Sequence, residues 1–414
     1  MSRSHAGSEK TKNALLWMSL SNEPFVVLYA ILPFIIRKDL DASLVQLSIL
    51  ASLRPFLSIF SFYWGANLTR QRHLLRSNLI GAWLLARLPF LFVPWINHAW
   101  YIIFCCSVYE LLNRSGNPAL IELLKINLQK EPRERIYNLC FILSFLESIL
   151  LGFLITGLLN KNVVPWPILL GMATLVSLSS ILPQMQVPLP PSPAINRVAK
   201  QKFLEKIITP WKDAFTLLKL KPDFSRFQCG FMLGGIGLML ASPSLSLFCV
   251  DFLRLSHSEI TFGRSVLMGV GVVISSYFWR RMISNQKTEQ LLTNILVGFS
   301  LYLFCLYLAG IDLLFFYFSF VLYGIAQAGS HLLWNLSGAL FAGSDDSSQF
   351  SRVNILMVGL RGSIVPALGG FLCNYFGPGP TILFGSAICF SGACYMLLTK
   401  NSPFARNVRI FVDF

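Results

Sequence analysis

An ionised side chain at the centre of a lipid bilayer costs about 2.5–3.5 kcal/mol on insertion scales, so each one inside a long apolar run needs a chemical reason. This chain has several. Glu23 lies midway between Lys12 and Arg37 in the first such run, and Ser19, Asn22 and Glu23 fall on one helical face by their three- and four-residue spacing. A carboxylate there can bind a proton, a cation or a substrate, or it can pair with a base for structural reasons. Glu110, Asn113, Arg114 and Asn117 recur at i, i+3, i+4 and i+7, a polar stripe that lipid cannot satisfy. Glu110 and Arg114 suit an intrahelical pair or a ligand-facing role. Gln327, His331, Trp334 and Gly338, with the adjacent Asn335, form a second stripe late in the chain. His331 is the one histidine inside an apolar run, and an imidazole with its ordinary pKa of about 6.5 exchanges protons in the physiological range, although a neutral, hydrogen-bonded histidine fits the position equally well. Arg54, Glu147, Arg361 and Arg87 lie well inside four other runs.

About twelve apolar stretches must position these residues. Windows of about 20 apolar residues, the length that spans a bilayer as a helix, predict helices near 14–36, 44–66, 78–96, 99–123, 136–159, 165–187, 224–250, 260–282, 291–310, 313–341, 352–375 and 379–399. The runs lack the dyad alternation of outer-membrane barrel strands. A hydrophobic fraction of 54%, a mean hydropathy of +0.61 and only 13% charged residues exclude an ordinary soluble domain of this length. The net charge of +15 sits in the N-terminus, the even-to-odd loops, the central linker and the C-terminus, leaving Arg37, Lys38, Lys161 and Arg254 on the other side. That asymmetry places both termini in the cytoplasm of a cell with this chain in its inner or plasma membrane. Anionic lipid headgroups are a sufficient partner for the basic surface, and nucleic acid is not called for.

The first dozen residues are polar and Asn22 and Glu23 interrupt the run behind them, which reads as a retained first span rather than a cleaved signal. The nine cysteines fall almost all within runs and form no Cys-x-x-Cys pair, so they read as small packing residues without a metal or redox role. Glycines at 230, 234, 237, 269, 271, 362, 369 and 370 suit close helix approach, with a gating hinge as the special case. The only long polar stretch, 188–223, opens with Pro188, Pro190, Pro191 and Pro193. It then repeats Phe203, Ile207, Trp211, Phe215 and Leu218 at helical spacing among lysines, with Pro210 as a kink or break. A basic amphipathic helix on the cytoplasmic headgroups is expected.

The twelve stretches are one six-stretch pattern written twice. At an offset of 215, Phe62-Tyr63-Trp64 falls on Tyr277-Phe278-Trp279, Leu40 on Leu255 and Ser43 on Ser258. At 214, Ile168-Leu169-Leu170-Gly171 falls on Ile382-Leu383-Phe384-Gly385, Tyr109 on Tyr323 and Asn160 on Asn374. Repeats of this kind in a membrane protein point first to a transporter, because rocking one repeat against the other exposes a site alternately to each side. Two six-span halves, 1–187 and 224–414, joined by a basic linker resemble the major facilitator superfamily over nearly the whole chain. That family carries Gly-x-Leu-Ala-Asp-Arg-x-Gly-Arg-Arg after its second span. Here the region is Gly65-Ala66-Asn67-Leu68-Thr69-Arg70-Gln71-Arg72-His73, with the glycine and the basic Arg70 and Arg72 kept and the acid replaced by Thr69. Gly116-Asn117-Pro118-Ala119 and Glu131-Pro132-Arg133-Glu134-Arg135 are similar to the family's pattern after the fourth span.

The resemblance implies an all-α integral membrane fold in which the first, fourth, seventh and tenth spans line a central cavity. Asn22, Glu23, Asn113, Arg114, Gln327, His331, Trp334 and Asn335 are then expected to meet substrate, with Arg54 and Arg361 entering from the second and eleventh spans. Glu23, Glu147 and His331 are the expected proton carriers, and Gly65, Arg70 and Arg72 a cytoplasmic gating loop. Arg54, Glu147 and Arg361 also suit pairs that exchange as the halves rock. Arg87, on a span that faces outward in the family, is expected at headgroups or on a neighbouring carbonyl. The function expected is secondary transport of a small organic solute, proton-coupled, by a monomer without cofactors. Export of lipophilic compounds and a receptor or assembly role on a transporter fold stay open as alternatives. An enzyme is not expected, since neither His-Glu-x-x-His, Gly-x-Ser-x-Gly nor a phosphate-binding Gly-x-x-x-x-Gly-Lys-Ser/Thr occurs.

Overall fold

The computed structural model describes residues 2–68, 72–160, 164–189, 203–285, 288–342 and 347–399, and these are helical almost throughout. Every apolar run forms a helix. The helices are α1 (Ser2–Leu40), α2 (Leu44–Leu68), α3 (Leu75–Arg87, continued by a 3₁₀ turn over Leu88–Phe92), α4 (Ala99–Asn127), α5 (Lys130–Asn160) and α6 (Trp166–Leu178). After them come α7 (Phe203–Leu220), α8 (Pro222–Leu247), α9 (Met268–Asn285), α10 (Thr288–Leu308), α11 (Leu313–Ala342), α12 (Ser347–Phe376) and α13 (Pro378–Thr399). Among the described residues nine helices are long and apolar enough to cross a membrane. Large apolar side chains such as Leu150, Phe153, Leu154, Phe278 and Phe371 are exposed, as they are where lipid replaces water as the solvent. The chain is a multi-pass membrane protein.

The linker helix α7 runs through Pro210 without a break, and the part of the expected amphipathic segment before Phe203 lies outside the described residues. Among the glycines expected at close contacts, a methyl group added at Gly230, Gly234 or Gly237 would strike Met396, Leu296 or the Gly385 carbonyl, so α8 lies against α10 and α13 at small-residue distance.

Two compact units are present, residues 1–197 with 249–269, and residues 198–248 with 270–414. In unit 1, α1 packs on α5 and α6, and α4 packs on α2 and α3. The hairpin from 249 to 269 joins this unit by packing on α1 and α5. Arg37 forks onto both oxygens of Asp251 at 2.8–3.1 Å, Lys38 donates to the Leu255 carbonyl at 2.7 Å, and His257 meets Asp39 at 2.9 Å. In unit 2, α8 packs on α12 and α13, and α10 packs on α11 and α13.

The duplication is visible in backbone detail. After α1 the Ala42 N–H donates to Ile36 O across Asp41, held at φ 48°, and after α8 the Leu255 N–H donates to Cys249 O across Arg254, held at φ 54°. Each corner ends in a reciprocal cap, Ser43 with Gln46 and Ser256 with Glu259, in which each side chain takes the other residue's backbone N–H. The offset at this corner is 213 (Asp41 to Arg254, Ala42 to Leu255, Ser43 to Ser256, Gln46 to Glu259). The sequence match of Leu40 to Leu255 and Ser43 to Ser258 is therefore corrected by two residues. A π-helical stretch, Phe262–Leu267, lies between this corner and the Tyr277-Phe278-Trp279 segment, where the match runs at 215. π turns hold extra residues within a continuing helix, and this one lies where the offset grows from 213 to 215.

Candidate functional site

Within unit 1, α1 presents two different faces to two different neighbours. Ser19 lies 2.7 Å from Ser144 Oγ on α5, and one turn on, Glu23 hydrogen-bonds to Ser148 and lies within electrostatic reach of Glu147. Glu23 is 9% exposed, and the Glu147 Oε2 atom is buried with no hydrogen-bond partner among the described residues. The expected face is thus split. Asn22 does not share it but points to α3 and α6, where its Oδ1 accepts from Arg87 Nη2 at 2.8 Å and from Ser177 Oγ at 2.9 Å. A helical step of one residue turns the side chain by about 100°, enough to part neighbours on a two-sided helix.

Arg87 is not at the headgroups. It is fully buried, donates from Nε to Ser177 Oγ at 2.7 Å and from Nη1 to its own turn's Trp83 carbonyl at 3.2 Å, and lies 3.4 Å above the Trp83 ring. The carbonyl contact agrees with expectation and the headgroup contact does not. A tryptophan one turn earlier, together with Asn22 and Ser177, supplies a solvation shell that lets the guanidinium stay inside.

The polar stripe of α4 meets α1 and α2. Glu110, 5% exposed, accepts the Tyr29 hydroxyl at 3.0 Å instead of closing an ion pair with Arg114. Arg114 lies within electrostatic reach of Arg54, Glu110, Tyr109 and Tyr29, and Tyr109 within reach of both arginines. Arg54 is exposed and Arg114 half-buried. Neither guanidinium has a hydrogen-bond partner among the described residues. Tyr29 packs between Phe25 and Tyr109, with ring centroids 5.7 and 4.8 Å away, which fixes the hydroxyl that Glu110 receives. Asn113 leaves this group and lines a small cleft with Trp83, Leu79 and Gly116 on the α3 side, and the Asn117 side chain is outside what is described.

In unit 2, Arg361 on α12 is 8% exposed and donates from Nη1 to the Phe231 carbonyl at 2.6 Å, with its carbon 4.9 Å from the Phe231 ring. Its Nε is buried without a hydrogen-bond partner among the described residues. A methyl at Gly235 would fall on this guanidinium, so the bare α8 backbone is what admits it. Phe231 also stacks on Trp334 at 5.6 Å. Gln327 is half-buried on the same helix, and His331 is exposed. Gln228, Asn354 and Ser337 form a buried chain across α8, α12 and α11, with Asn354 Nδ2 donating to Ser337 Oγ at 2.7 Å. The side chains of Asn335, Gly65 and Arg72 are outside what is described, and Arg70 lies outside the described residues altogether.

The residues that sequence reasoning did not single out are Tyr29, Tyr109, Ser148, Gln228 and Asn354. Gln228 and Asn354 carried a usable signal, as amide side chains deep in apolar runs.

No protein-family model matches the chain, and no curated protein matches it by sequence. Solved structures do match its fold. The nucleoside transporter NupG, in a mutant form, superposes with a TM-score of 0.74 at 12% identity, over 94% of this chain and 99% of that one. A POT family transporter in complex with 5-aminolevulinic acid gives 0.70 at 11%, over 94% and 95%. A bacterial homolog of the human lysosomal transporter Spinster, inward-facing and without substrate, gives 0.64 at 13%, over 96% and 99%. The chain shares the fold of these transporter structures.

Proposed function

We propose that this protein is a secondary active transporter that moves a small organic solute by alternating access, coupled to protons through Glu23 and Glu147. The observation behind the reading is that these two carboxylates lie within electrostatic reach of each other where α1 packs on α5, with one Glu147 oxygen buried and without a hydrogen-bond partner among the described residues. Two acids within electrostatic reach of each other inside an apolar bundle are costly to ionise together, so this contact is a place where a proton can be taken up and lost. Taking up and losing that proton changes the charge at the α1–α5 contact, which is what coupling requires. The structural neighbours, named as nucleoside and POT family transporters, support solute transport in general. The same reading has twelve spans in two halves, 1–187 and 224–414, both termini in the cytoplasm, a monomer in the inner or plasma membrane, and the basic linker 188–223 on anionic headgroups. It assigns no enzymatic step and no cofactor.

A second reading draws on the half-buried rings of Phe231, Phe341 and Trp334, of which Phe231 and Trp334 stack at 5.6 Å and Phe341 tilts against the buried Phe224 and Phe227 at 5.4 and 5.0 Å. Such a surface suits export of lipophilic compounds. The test is lumenal pH in proteoliposomes exposed to pools of nucleosides, short peptides, organic acids and lipophilic cations. A pool that drives proton movement in the parent protein should fail to do so in Glu23→Gln and Glu147→Gln. Unchanged proton movement in both variants would remove the carboxylate pair from the mechanism, and a lipophilic-cation response alone would favour the second reading.

A further inference from the structure

The charges around the α1–α2–α4 face of unit 1 do not balance. Two guanidiniums, Arg54 on α2 and Arg114 on α4, lie within electrostatic reach of each other, and the one carboxylate beside them, Glu110, is buried and already accepts the Tyr29 hydroxyl. Arg87, the third arginine within reach of Tyr109, is fully buried with an acceptor on each nitrogen, from Ser177, Trp83 and Asn22, and is not open to a ligand in the same way. Arg54 is exposed and Arg114 half-buried, and neither has a hydrogen-bond partner among the described residues, so both keep N–H donors that an anion can take.

We propose that Arg54 and Arg114 form an oxyanion site, its ligand the carboxylate or phosphate group of the transported solute. The inference deepens the transport reading above and rests on it. Guanidinium forks match the paired oxygens of either group, each offering two parallel N–H donors. The two arginines stand on separate helices, so an oxyanion that bridges them bonds α2 to α4 as it arrives. Glu110 keeps the site from holding more than one excess positive charge, which suits an anion that must also leave. The rings of Tyr29 and Tyr109, tilted against each other with centroids 4.8 Å apart, pack beside it.

The experiment is thermal unfolding of the purified full chain in neutral detergent with zwitterionic lipid at constant pH. Sodium phosphate and sodium succinate are the probes, compared with sodium chloride at equal ionic strength. A ligand that binds only the folded state raises its stability by mass action. Phosphate or succinate is expected to raise the unfolding temperature beyond chloride. Arg54→Gln and Arg114→Gln should each weaken the apparent affinity by about tenfold or more, the loss of a charge-assisted hydrogen bond. Arg54→Lys and Arg114→Lys, which keep the charge and the fold, should retain part of it, and Arg280→Gln, on an exposed side chain of α9, should retain all of it. No shift beyond chloride with either probe, or a shift that survives both glutamine variants, overturns the proposal. Stabilisation by phosphatidylglycerol alone, lost in the same variants, would give the site to a lipid headgroup and overturn its role in solute binding. Because the assay reads binding without a proton gradient, anion binding with no proton movement would sink the coupling and leave this site standing. Proton coupling with no anion binding would do the reverse.

Discussion

Arg87 and the Arg54–Arg114 pair show two ways for the same side chain to exist in one helical unit. Around Arg87 each nitrogen of the fork has an acceptor, from Ser177, Trp83 and Asn22, and an indole covers its face. Around Arg54 and Arg114 the neighbours are another cation, a carboxylate already taken and two tyrosines. The first arrangement is complete and holds α1, α3 and α6 together. The second is incomplete as it stands and is finished by something that comes from outside. The satisfaction of the guanidinium, more than its depth, separates a structural arginine from a binding one. Arg361 stands between them, with Nη1 on a backbone carbonyl and Nε buried without a hydrogen-bond partner among the described residues.

The largest effect that can break this comparison is loss of the complete site. Arg87→Ala should strand Asn22 and Ser177 and open a cavity under Trp83, lowering stability by about 3–5 kcal/mol, as buried network losses do. The check is the unfolding temperature and gel-filtration profile in detergent. Arg54→Gln, on an exposed side chain, should change stability by no more than about 0.5 kcal/mol while abolishing solute transport. If Arg87→Ala folds as well as Arg54→Gln, the distinction between the two arginines fails.

A smaller effect tests the intermediate case. Gly235→Ala places a methyl on the Arg361 guanidinium and should cost about 1–3 kcal/mol, with Arg361→Met in the same chain recovering part of it because the clash goes with the guanidinium. The smallest concerns the two corners. Ser43→Ala and Ser256→Ala each remove a reciprocal cap and should cost about 1 kcal/mol apiece, measured by thermal unfolding. Equal losses would show that the repeated corners still do the same work in both halves.

The all-helical character was legible in the sequence because burial in lipid imposes long apolar runs; each predicted interval holds helix, and nine helices among the described residues are long and apolar enough to span. The corner register was less so. Leu40, Ser43, Leu255 and Ser258 align by identity, but the shared left-handed residue and cap lie at Asp41 and Ser43 in one half and at Arg254 and Ser256 in the other. Apolar sequences match at several registers, and only the backbone hydrogen bonds choose among them. Among site residues, Glu23, Glu110 and Arg114 were visible as charges in apolar surroundings. Their partners were not. Spacing put Asn22 beside Glu23 on a broad polar face, whereas α1 is sandwiched between α5 and α6, so a one-residue step sends it to Arg87. The family pattern sent Arg87 outward, because nothing in the local sequence reveals that Ser177, 90 residues away, receives it.

The most direct test of the account separates the carboxylate pair from the arginine pair in a single transport assay. Proteoliposomes of the parent protein and of Glu147→Gln are given whichever of phosphate or succinate stabilises the purified protein, in radiolabelled form. Accumulation is followed under an imposed proton gradient, and exchange is followed without one. The account predicts that Glu147→Gln exchanges the anion at a rate near that of the parent but no longer accumulates it when protons are offered. Accumulation by Glu147→Gln equal to the parent's would contradict proton coupling through Glu23 and Glu147.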